Sequence, residues 1–333
     1  MSKKTAALVL DERSAQSIYG PEQRAAIREI AELRDGVVTR QALAETPALL
    51  AGVHLMFSGW GAPVLDAKLL AAAPQLEAVF YGAGSIRSMV TPEFWERGIV
   101  VTSSWQANAV PVAEFVEALV LLSLKRFWQA TRACTSRAGF RHPEVIGAYG
   151  AKVGLVSLGM VGRMTAERLR RHDLRLLAYD PFVSQSKADS LDLGIEMVSL
   201  ETLFATCDVV SLHTPNLPST RKMVTGALLA SMKPGATFIN SARGAVVDEE
   251  ALIETLKVRA DLQALLDVTD PEPPVEGSPL YSLPNVVLTP HIAGSMGDEC
   301  KRMGALAVEQ CRQHLAGKTP QWRITREMAE IMA

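Results

Sequence analysis

The stretch VGLVSLGMVG, residues 153–162, decides the fold of this 333-residue chain. It is an apolar, strand-like run that leads into a glycine turn and then into a helical pattern. Gly159 and Gly162 stand at the second and third glycines of the dinucleotide-binding pattern G-x-G-x-x-G, but Ser157 stands at the first. By itself this pattern is weak, because an ordinary strand–turn–helix unit can contain it. A cofactor turn with one tolerated substitution, a damaged turn and an ordinary turn all stay open.

The residues around this turn favour the cofactor interpretation. A strand-like run precedes it, a helical pattern follows it, and the next strand-like run ends at Asp180, eighteen residues after Gly162. An acid at the end of that second strand is placed to bond the ribose hydroxyls of NAD, and its charge would repel a 2′-phosphate. The alternative is that Asp180 is only a turn residue before Pro181.

Two series of short apolar runs predict two parallel α/β domains. Alternation of strands and helices indicates parallel α/β layers, and each run of the second series is continuously apolar, as expected for strands that are buried on both faces. Helical patterns, such as the one over 21–35, lie between the runs. The second series fits a doubly wound sheet. The first series comprises residues 6–10, 53–58, 76–82 and 98–104, and the second comprises 152–158, 175–180, 209–214, 236–242, 263–268 and 285–291.

Composition and charge exclude several classes of protein. The chain is 48% hydrophobic and 21% charged, with a formal net charge of −2, so no basic field predicts a nucleic acid or an anionic membrane as a partner. The four cysteines have no metal-binding spacing, so we expect buried, reduced thiols and no metal site. We find no signal peptide and no stretch of apolar residues that approaches a membrane span, and we therefore expect a cytoplasmic protein.

One helical pattern, within residues 108–133, is apolar on most of its faces. Val112, Phe115 and Leu119 lie on one stripe, and Val120 and Leu124 extend the apolar surface around the helix. Such a helix must be buried on most sides. It is covered either by its own subunit or by a second one, and the pattern favours neither.

Three further segments place a titratable residue near the end of a buried strand. Open α/β sheets bind ligands at this edge. Arg243 suits a carboxylate, His291 suits proton transfer, and Glu272 beside an imidazole would orient it and favour its protonated form. Taken singly, each is as easily a surface or structural residue, but together they indicate an active site. The segments are FINSARGAVVDEEAL (238–252), ALLDVTDPEPP (264–274) and LPNVVLTPHIAG (283–294).

These segments resemble the D-isomer-specific 2-hydroxyacid dehydrogenases. NSARGAVVDEEAL is similar to the family's signature around its catalytic arginine, LDVTDPEP to the loop with its glutamate, and NVVLTPHIAG to its histidine segment. The resemblance covers about residues 50–320. The spacings also match, with 29 residues from Arg243 to Glu272 and 19 from Glu272 to His291.

The resemblance implies a fold of two Rossmann-like, doubly wound parallel-sheet domains with a cleft between them. The substrate domain would be discontinuous, comprising residues 1–108 and 298–333, and the NAD-binding domain would comprise 109–297. Homodimers would form through the NAD-binding domains, which would explain the apolar helix.

The resemblance also implies the role of each site residue. Arg243 would bind the substrate, and His291 would be the general acid and base, with Glu272 paired to it. The backbone N–H groups of Ala83 and Gly84 would receive the substrate carboxylate. Asp267 would hold the nicotinamide carboxamide, and Val112 would approach its ring. The remaining cofactor contacts would be Ser157, Gly159, Met160, Val161, Gly162, Asp180, His213, Thr214, Pro215 and Ala242.

The chain departs from the family's pattern at a few positions. The family usually has Gly or Ala where Ser157 stands, and a positive φ at this serine would cost roughly 1 kcal/mol or more. Members acting on 3-phosphoglycerate carry arginines near the small-domain loop, where this chain has Phe57 and Tyr81, although Arg87 is nearby. Formate dehydrogenases have Gln where Glu272 stands.

The sequence therefore predicts an NAD-dependent enzyme that interconverts a 2-oxo acid and a D-2-hydroxy acid, with a small acid such as hydroxypyruvate or glyoxylate favoured. Two alternatives remain. One is activity of the phosphoglycerate dehydrogenase type. The other is an NAD(H)-sensing binding protein like the C-terminal-binding-protein corepressors, which keep the same catalytic residues.

Overall fold

In the computed structural model, which describes residues 3–332, the chain divides into two compact units. The first comprises residues 3–108 together with Ser295–Met332, and the second comprises Ala109–Gly294. The chain thus returns to the first unit three residues earlier than position 298, where we placed the boundary from the sequence.

The first unit is built on a parallel sheet of five strands, in the order β2-β1-β3-β4-β5. This is the doubly wound order of flavodoxin-like sheets. Apolar clusters cover both faces of the sheet, which explains why β3 and β4 are buried at every position. The strands are β1 (Thr5–Val9), β2 (Glu32–Leu33), β3 (Leu55–Ser58), β4 (Ala78–Tyr81) and β5 (Val100–Ser103).

The second unit contains a parallel sheet of seven strands, in the order β12-β11-β10-β9-β6-β7-β8. Because β6 lies between β7 and β9, the chain winds outward in both directions from it, and this switch point is where such sheets bind ligands. All carboxyl ends lie along one edge because all pairs are parallel. The strands are β6 (Lys152–Val156), β7 (Arg175–Tyr179), β8 (Ile195–Met197), β9 (Val209–Leu212), β10 (Thr237–Asn240), β11 (Gln263–Leu266) and β12 (Val286–Leu288).

Helices connect the strands in both units. Those of the first unit and the boundary are α1 (Glu12–Ile18), α2 (Pro21–Ile30), α3 (Arg40–Glu45), α4 (Ala67–Ala72), α5 (Pro92–Glu96) and α6 (Trp105–Leu124). Those of the second unit are α7 (Phe127–Ala133), α8 (Met160–Leu169), α9 (Gln185–Asp189), α10 (Leu200–Thr206), α11 (Gly226–Ala230) and α12 (Glu249–Val258). The first unit then regains α13 (Glu299–Leu315) and α14 (Arg326–Ile331).

The apolar helix α6 corrects the expectation that no apolar stretch of the chain approaches the length of a membrane span. It has 20 residues and a mean hydropathy of 1.6 over an 18-residue window, so by length and composition alone it could cross a membrane. Half of that window is buried inside the protein, however, and the core helix of a soluble protein passes the same test. The helical pattern is also not continuous to residue 133, because Arg126 adopts a left-handed φ of 51° between α6 and α7.

Other local predictions were wrong for identifiable reasons. The helix expected over 21–35 ends at Ile30, because Glu32 and Leu33 pair with β1 as an edge strand. Strand β8 was missed because it is only three residues long and exposes Glu196. Cys207, Cys300 and Cys311 are buried, but Cys134 is exposed.

Candidate active site

The two glycines of the turn after β6 are needed for different physical reasons. A Cβ atom on Gly162 would lie 2.2 Å from the carbonyl oxygen of Ser157, so the helix and turn pack only around a glycine. Gly159, the N-cap of α8, has a negative φ of −65°, and a Cβ atom added to it would have no neighbour within 4 Å. No protein atom in the described chain therefore requires a glycine there, whereas a ligand that approaches the backbone would. Met160 and Val161 begin the helix behind it.

Ser157 and Asp180 are joined at the carboxyl edge of β6 and β7. Ser157 has a φ of 83°, a left-handed conformation that costs a non-glycine residue roughly 1 kcal/mol or more. Its hydroxyl lies 3.3 Å from Oδ2 of Asp180, which also accepts the Leu158 N–H at 2.9 Å. The Phe182 N–H donates to the other carboxylate oxygen, at 2.9 Å. The serine side chain therefore points to Asp180, at the end of the neighbouring strand.

Two further polar groups at this edge lack protein partners. Both ring nitrogens of His213, which follows β9, and the hydroxyl of Ser241, which follows β10, are buried without a hydrogen bond to residues 3–332. Such groups cost free energy unless a ligand or water satisfies them. Thr214 is bonded to Val156 at 3.3 Å, and Pro215 accepts a bond from Thr220 at 2.6 Å. The open turn and the unsatisfied groups fit a bound dinucleotide.

Burial lowers the pKa of His213 to about 4, and this predicts a pH-dependent stability. Between about pH 6.5 and 4 the unfolded chain protonates this histidine while the folded chain does not, so the folded state loses roughly 3 kcal/mol as the pH falls through that window. We expect H213Q to lose less stability than the wild type between pH 7 and pH 4 in urea unfolding without cofactor. The exposed-residue control H142Q should behave like the wild type. Equal losses in H213Q and the wild type would contradict this assignment.

Asp267, directly after β11, holds the segment that carries the histidine. One carboxylate oxygen accepts the Thr289 hydroxyl at 2.6 Å and the Ile292 N–H at 2.8 Å, and the other accepts the Ala293 N–H at 2.9 Å. Because a carboxylate has about four acceptor positions, one remains. The nicotinamide contact implied for Asp267 stays a prediction. The structure shows in addition that Asp267 positions the segment on either side of His291.

Arg243 lies three residues beyond β10, in a loop fixed by its neighbours. The Asn240 side chain donates to the Arg243 carbonyl at 3.1 Å and accepts the Ala242 N–H at 3.0 Å. The guanidinium donates to the Ala242 carbonyl at 2.6 Å. Burial lowers the pKa of Arg243, and the charge of Glu272 opposes this shift. The side chain is thus a partly desolvated cation, which binds an anion more strongly than an exposed one does.

The loops that carry Arg243 and Glu272 touch at their backbones. A Cβ atom on Gly244 would lie 2.0 Å from the carbonyl carbon of Thr269. Glu249, in the first turn of α12, accepts the Asp270 N–H at 2.9 Å, and burial raises its pKa. Glu249 is a positioning residue that we did not identify from the sequence, although it lies within the quoted NSARGAVVDEEAL segment.

His291 and Glu272 form a hydrogen-bonded pair. The distance from His291 Nδ1 to Glu272 Oε1 is 2.6 Å, and about half of each side chain is exposed. His291 has a φ of 54°, and its N–H donates to the carbonyl oxygens of Asp267 and Thr289. Since Nδ1 is bonded to the carboxylate and Nε2 has no partner within residues 3–332, Nε2 is the nitrogen that is available for proton transfer.

In the first unit, the loop with Ala83 and Gly84 is anchored by its carbonyl groups. The Ser103 hydroxyl lies 3.0 Å from the Ala83 oxygen and 2.5 Å from the Gly84 oxygen. Within the described residues neither loop N–H group donates a hydrogen bond, so the carboxylate contact implied for them stays a prediction. Ser103 is another residue that sequence reasoning missed. In the second unit Val112 is buried in α6.

Comparisons with known proteins identify the family. A family model described as the NAD-binding domain of D-isomer specific 2-hydroxyacid dehydrogenases matches residues 118–293. The chain is 34% identical over 261 residues to D-3-phosphoglycerate dehydrogenase from Mycobacterium leprae (strain TN), a match that covers 77% of this chain and 48% of that protein. The chain therefore spans about half the length of such relatives.

Two other relatives match over more of their length. Glyoxylate reductase from Thermofilum pendens (strain DSM 2475 / Hrk 5) is 33% identical over 277 residues, which is 80% of each protein. The crystal structure of a protein from Thermus thermophilus superposes with a TM-score of 0.73 and 31% identity, covering 96% of this chain and all of that one. The family and the cofactor predicted from the motifs are thus confirmed: the chain belongs to the D-isomer specific 2-hydroxyacid dehydrogenase family and carries its NAD-binding domain.

Proposed function

We propose that this protein is an NAD-dependent oxidoreductase that interconverts a 2-oxo acid and a D-2-hydroxy acid. The observation that carries the proposal is the presence of Arg243 and the His291–Glu272 pair at the same sheet edge as the glycine turn. NAD(H), when bound, accepts or supplies the hydride. The protein's side chains supply the binding of the acid and the transfer of the proton.

Arg243 is proposed to bind the substrate. A guanidinium offers several N–H donors in a planar fork, and this geometry matches a carboxylate and the adjacent carbonyl oxygen. The partial burial of Arg243 strengthens that attraction. The guanidinium charge would also polarise the substrate carbonyl group toward hydride attack.

His291 is proposed to be the general acid in reduction and the general base in oxidation. Its Nε2 donates a proton to the carbonyl oxygen as an alcohol forms, and it accepts the proton in the reverse direction. Glu272, bonded to Nδ1, holds the ring in a fixed orientation and leaves Nε2 for the substrate.

For the substrate we favour a small acid of the hydroxypyruvate or glyoxylate type. The glyoxylate reductase relative supports this choice because the match covers 80% of both proteins. The phosphoglycerate dehydrogenases match over about half their length, and the chain has Phe57 and Tyr81, both buried, near the expected phosphate side. A phosphoglycerate-type substrate remains the alternative.

A panel of 2-oxo acids tests the proposal. Glyoxylate, hydroxypyruvate, pyruvate and 3-phosphohydroxypyruvate are each incubated with NADH, and consumption of NADH is followed at the nicotinamide absorbance. We expect turnover, with the highest kcat/KM for an unphosphorylated small acid. Binding of NADH without turnover of any acid would contradict the proposal and favour an NAD(H)-sensing protein. The cytoplasmic location stays a prediction.

We also propose that the protein is a homodimer and that α6 forms part of its interface. Phe115 and Leu122 are half-exposed on the outer side of α6, next to the exposed Ala118. Phe127, at the start of α7, is 47% exposed and extends this apolar surface. Glu114 and Glu117, on the same helix, form ion pairs with Arg168, so a second copy of this chain suits the surface better than lipid does.

A charge on this surface should separate the subunits. We expect A118R to sediment as a monomer at concentrations where the wild type is a dimer, because a long charged side chain would have to be desolvated in an apolar interface. A44R, at an exposed alanine of α3, is the matched control and should sediment like the wild type. A dimeric A118R would place the interface elsewhere.

A further inference from the structure

We infer that Ser157 is a specificity-determining residue, which holds Asp180 in the orientation that selects an unphosphorylated ribose. The inference rests on the proposed NAD-dependent function and goes beyond it. Ser157 is the position in this turn where the backbone conformation favours glycine but the chain has a residue with a side chain.

Hydrogen bonds to the backbone and to Ser157 hold the carboxylate of Asp180 in place. The acid has donors on both carboxylate oxygens, namely the Phe182 N–H on Oδ1 and the Leu158 N–H and Ser157 hydroxyl on Oδ2. Of about four acceptor positions, three are taken, and the one that remains is on Oδ1. The carboxylate therefore cannot rotate without breaking bonds, and it presents a single direction to a ligand.

The backbone of Ser157 adopts a conformation that favours glycine. Its φ of 83° is strained for serine and free of strain for glycine. Within residues 3–332 the hydroxyl makes no other hydrogen bond than the one to Asp180, and the carbonyl is in close approach to Gly162. The Ser157 side chain thus lowers the stability of the folded protein, and the contact that it makes in return is the hydrogen bond to Asp180.

The fixed orientation of Asp180 affects which cofactor the turn binds. An ionised, fixed carboxylate accepts a hydrogen bond from a ribose hydroxyl and repels a 2′-phosphate. A carboxylate that is free to turn away would lose part of both effects. Removal of the Ser157 hydroxyl should therefore weaken the binding of NADH and reduce the preference over NADPH.

Binding measurements on two variants separate the hydroxyl from the strain. S157A removes the hydroxyl and keeps the Cβ atom, whereas S157G removes both. For both variants we expect the Kd of NADH to rise about three- to tenfold, as after loss of one hydrogen bond, while the Kd of NADPH changes less. In a D180A background, S157A should have no further effect, because its partner is absent.

Thermal unfolding without cofactor provides the second readout. S157G should raise the Tm by about 2 °C through relief of strain, and S157A should not. D192G, which relieves another left-handed φ of 52° at an exposed position, is the control that should leave both Kd values unchanged.

The outcomes distinguish the inference from the proposed function. Wild-type protein that binds neither NADH nor NADPH in calorimetry would overturn both. Wild-type protein that binds NADH, with S157A showing the same two Kd values, would overturn the inference alone. An equal effect of S157A with and without Asp180 would also overturn it, since the hydroxyl would then act independently of the acid.

Discussion

R243A should lower kcat/KM for the preferred 2-oxo acid by about three orders of magnitude. Removal of one partner from a desolvated charge pair costs about 2–5 kcal/mol, and here the lost partner is the proposed anchor of the carboxylate. The guanidinium is also proposed to polarise the reacting carbonyl, so both kcat and KM should change. Steady-state kinetics with a fixed, saturating concentration of NADH measure this effect.

Two variants make the test of Arg243 specific. R243K keeps the positive charge but loses the planar fork, and we expect it to recover only part of the activity. R170A removes an exposed arginine of the same unit that pairs with Glu167, and it should change kcat/KM less than twofold. If R243A retained more than a tenth of the wild-type kcat/KM, Arg243 could not be the residue that binds the carboxylate.

H291N should lower kcat by about two to four orders of magnitude, with little change in the Kd of NADH. General acid–base catalysis contributes a factor of about 10²–10⁴, and asparagine cannot transfer the proton. Asparagine is the suitable replacement because it tolerates the left-handed φ of 54° at this position, so the loop should keep its conformation. Single-turnover measurements with bound NADH separate the chemical step from product release.

The chain offers a matched control for the histidine–carboxylate pair. His172 lies 3.0 Å from Glu117, outside the candidate site, and H172N should leave kcat unchanged. E272Q keeps an acceptor for Nδ1 but removes the charge, and we expect it to lower kcat less than H291N does. An H291N variant as active as the wild type would show that another group transfers the proton.

Most of the architecture could be predicted from the sequence. The continuous apolar runs identify the central strands because most side chains of a strand covered on both faces are buried and apolar. The edge strands β2 and β8 could not be identified in this way, since each is short and half-exposed. Their pairing depends on neighbouring strands that are distant in the sequence.

The sequence by itself determined the order of the other strands, the family, and the identity of the residues near the strand ends, including Arg243, Glu272 and His291. These follow from local patterns, because periodicity, glycine spacing and motif chemistry are properties of short segments. The tertiary structure alone decided the positive φ of Ser157, the bond of its hydroxyl to Asp180 and the burial of His213. It also decided the three hydrogen bonds that commit Asp267 to the histidine segment. The physical reason is that torsion angles, desolvation and the direction of a side chain are set by packing between segments far apart in the chain.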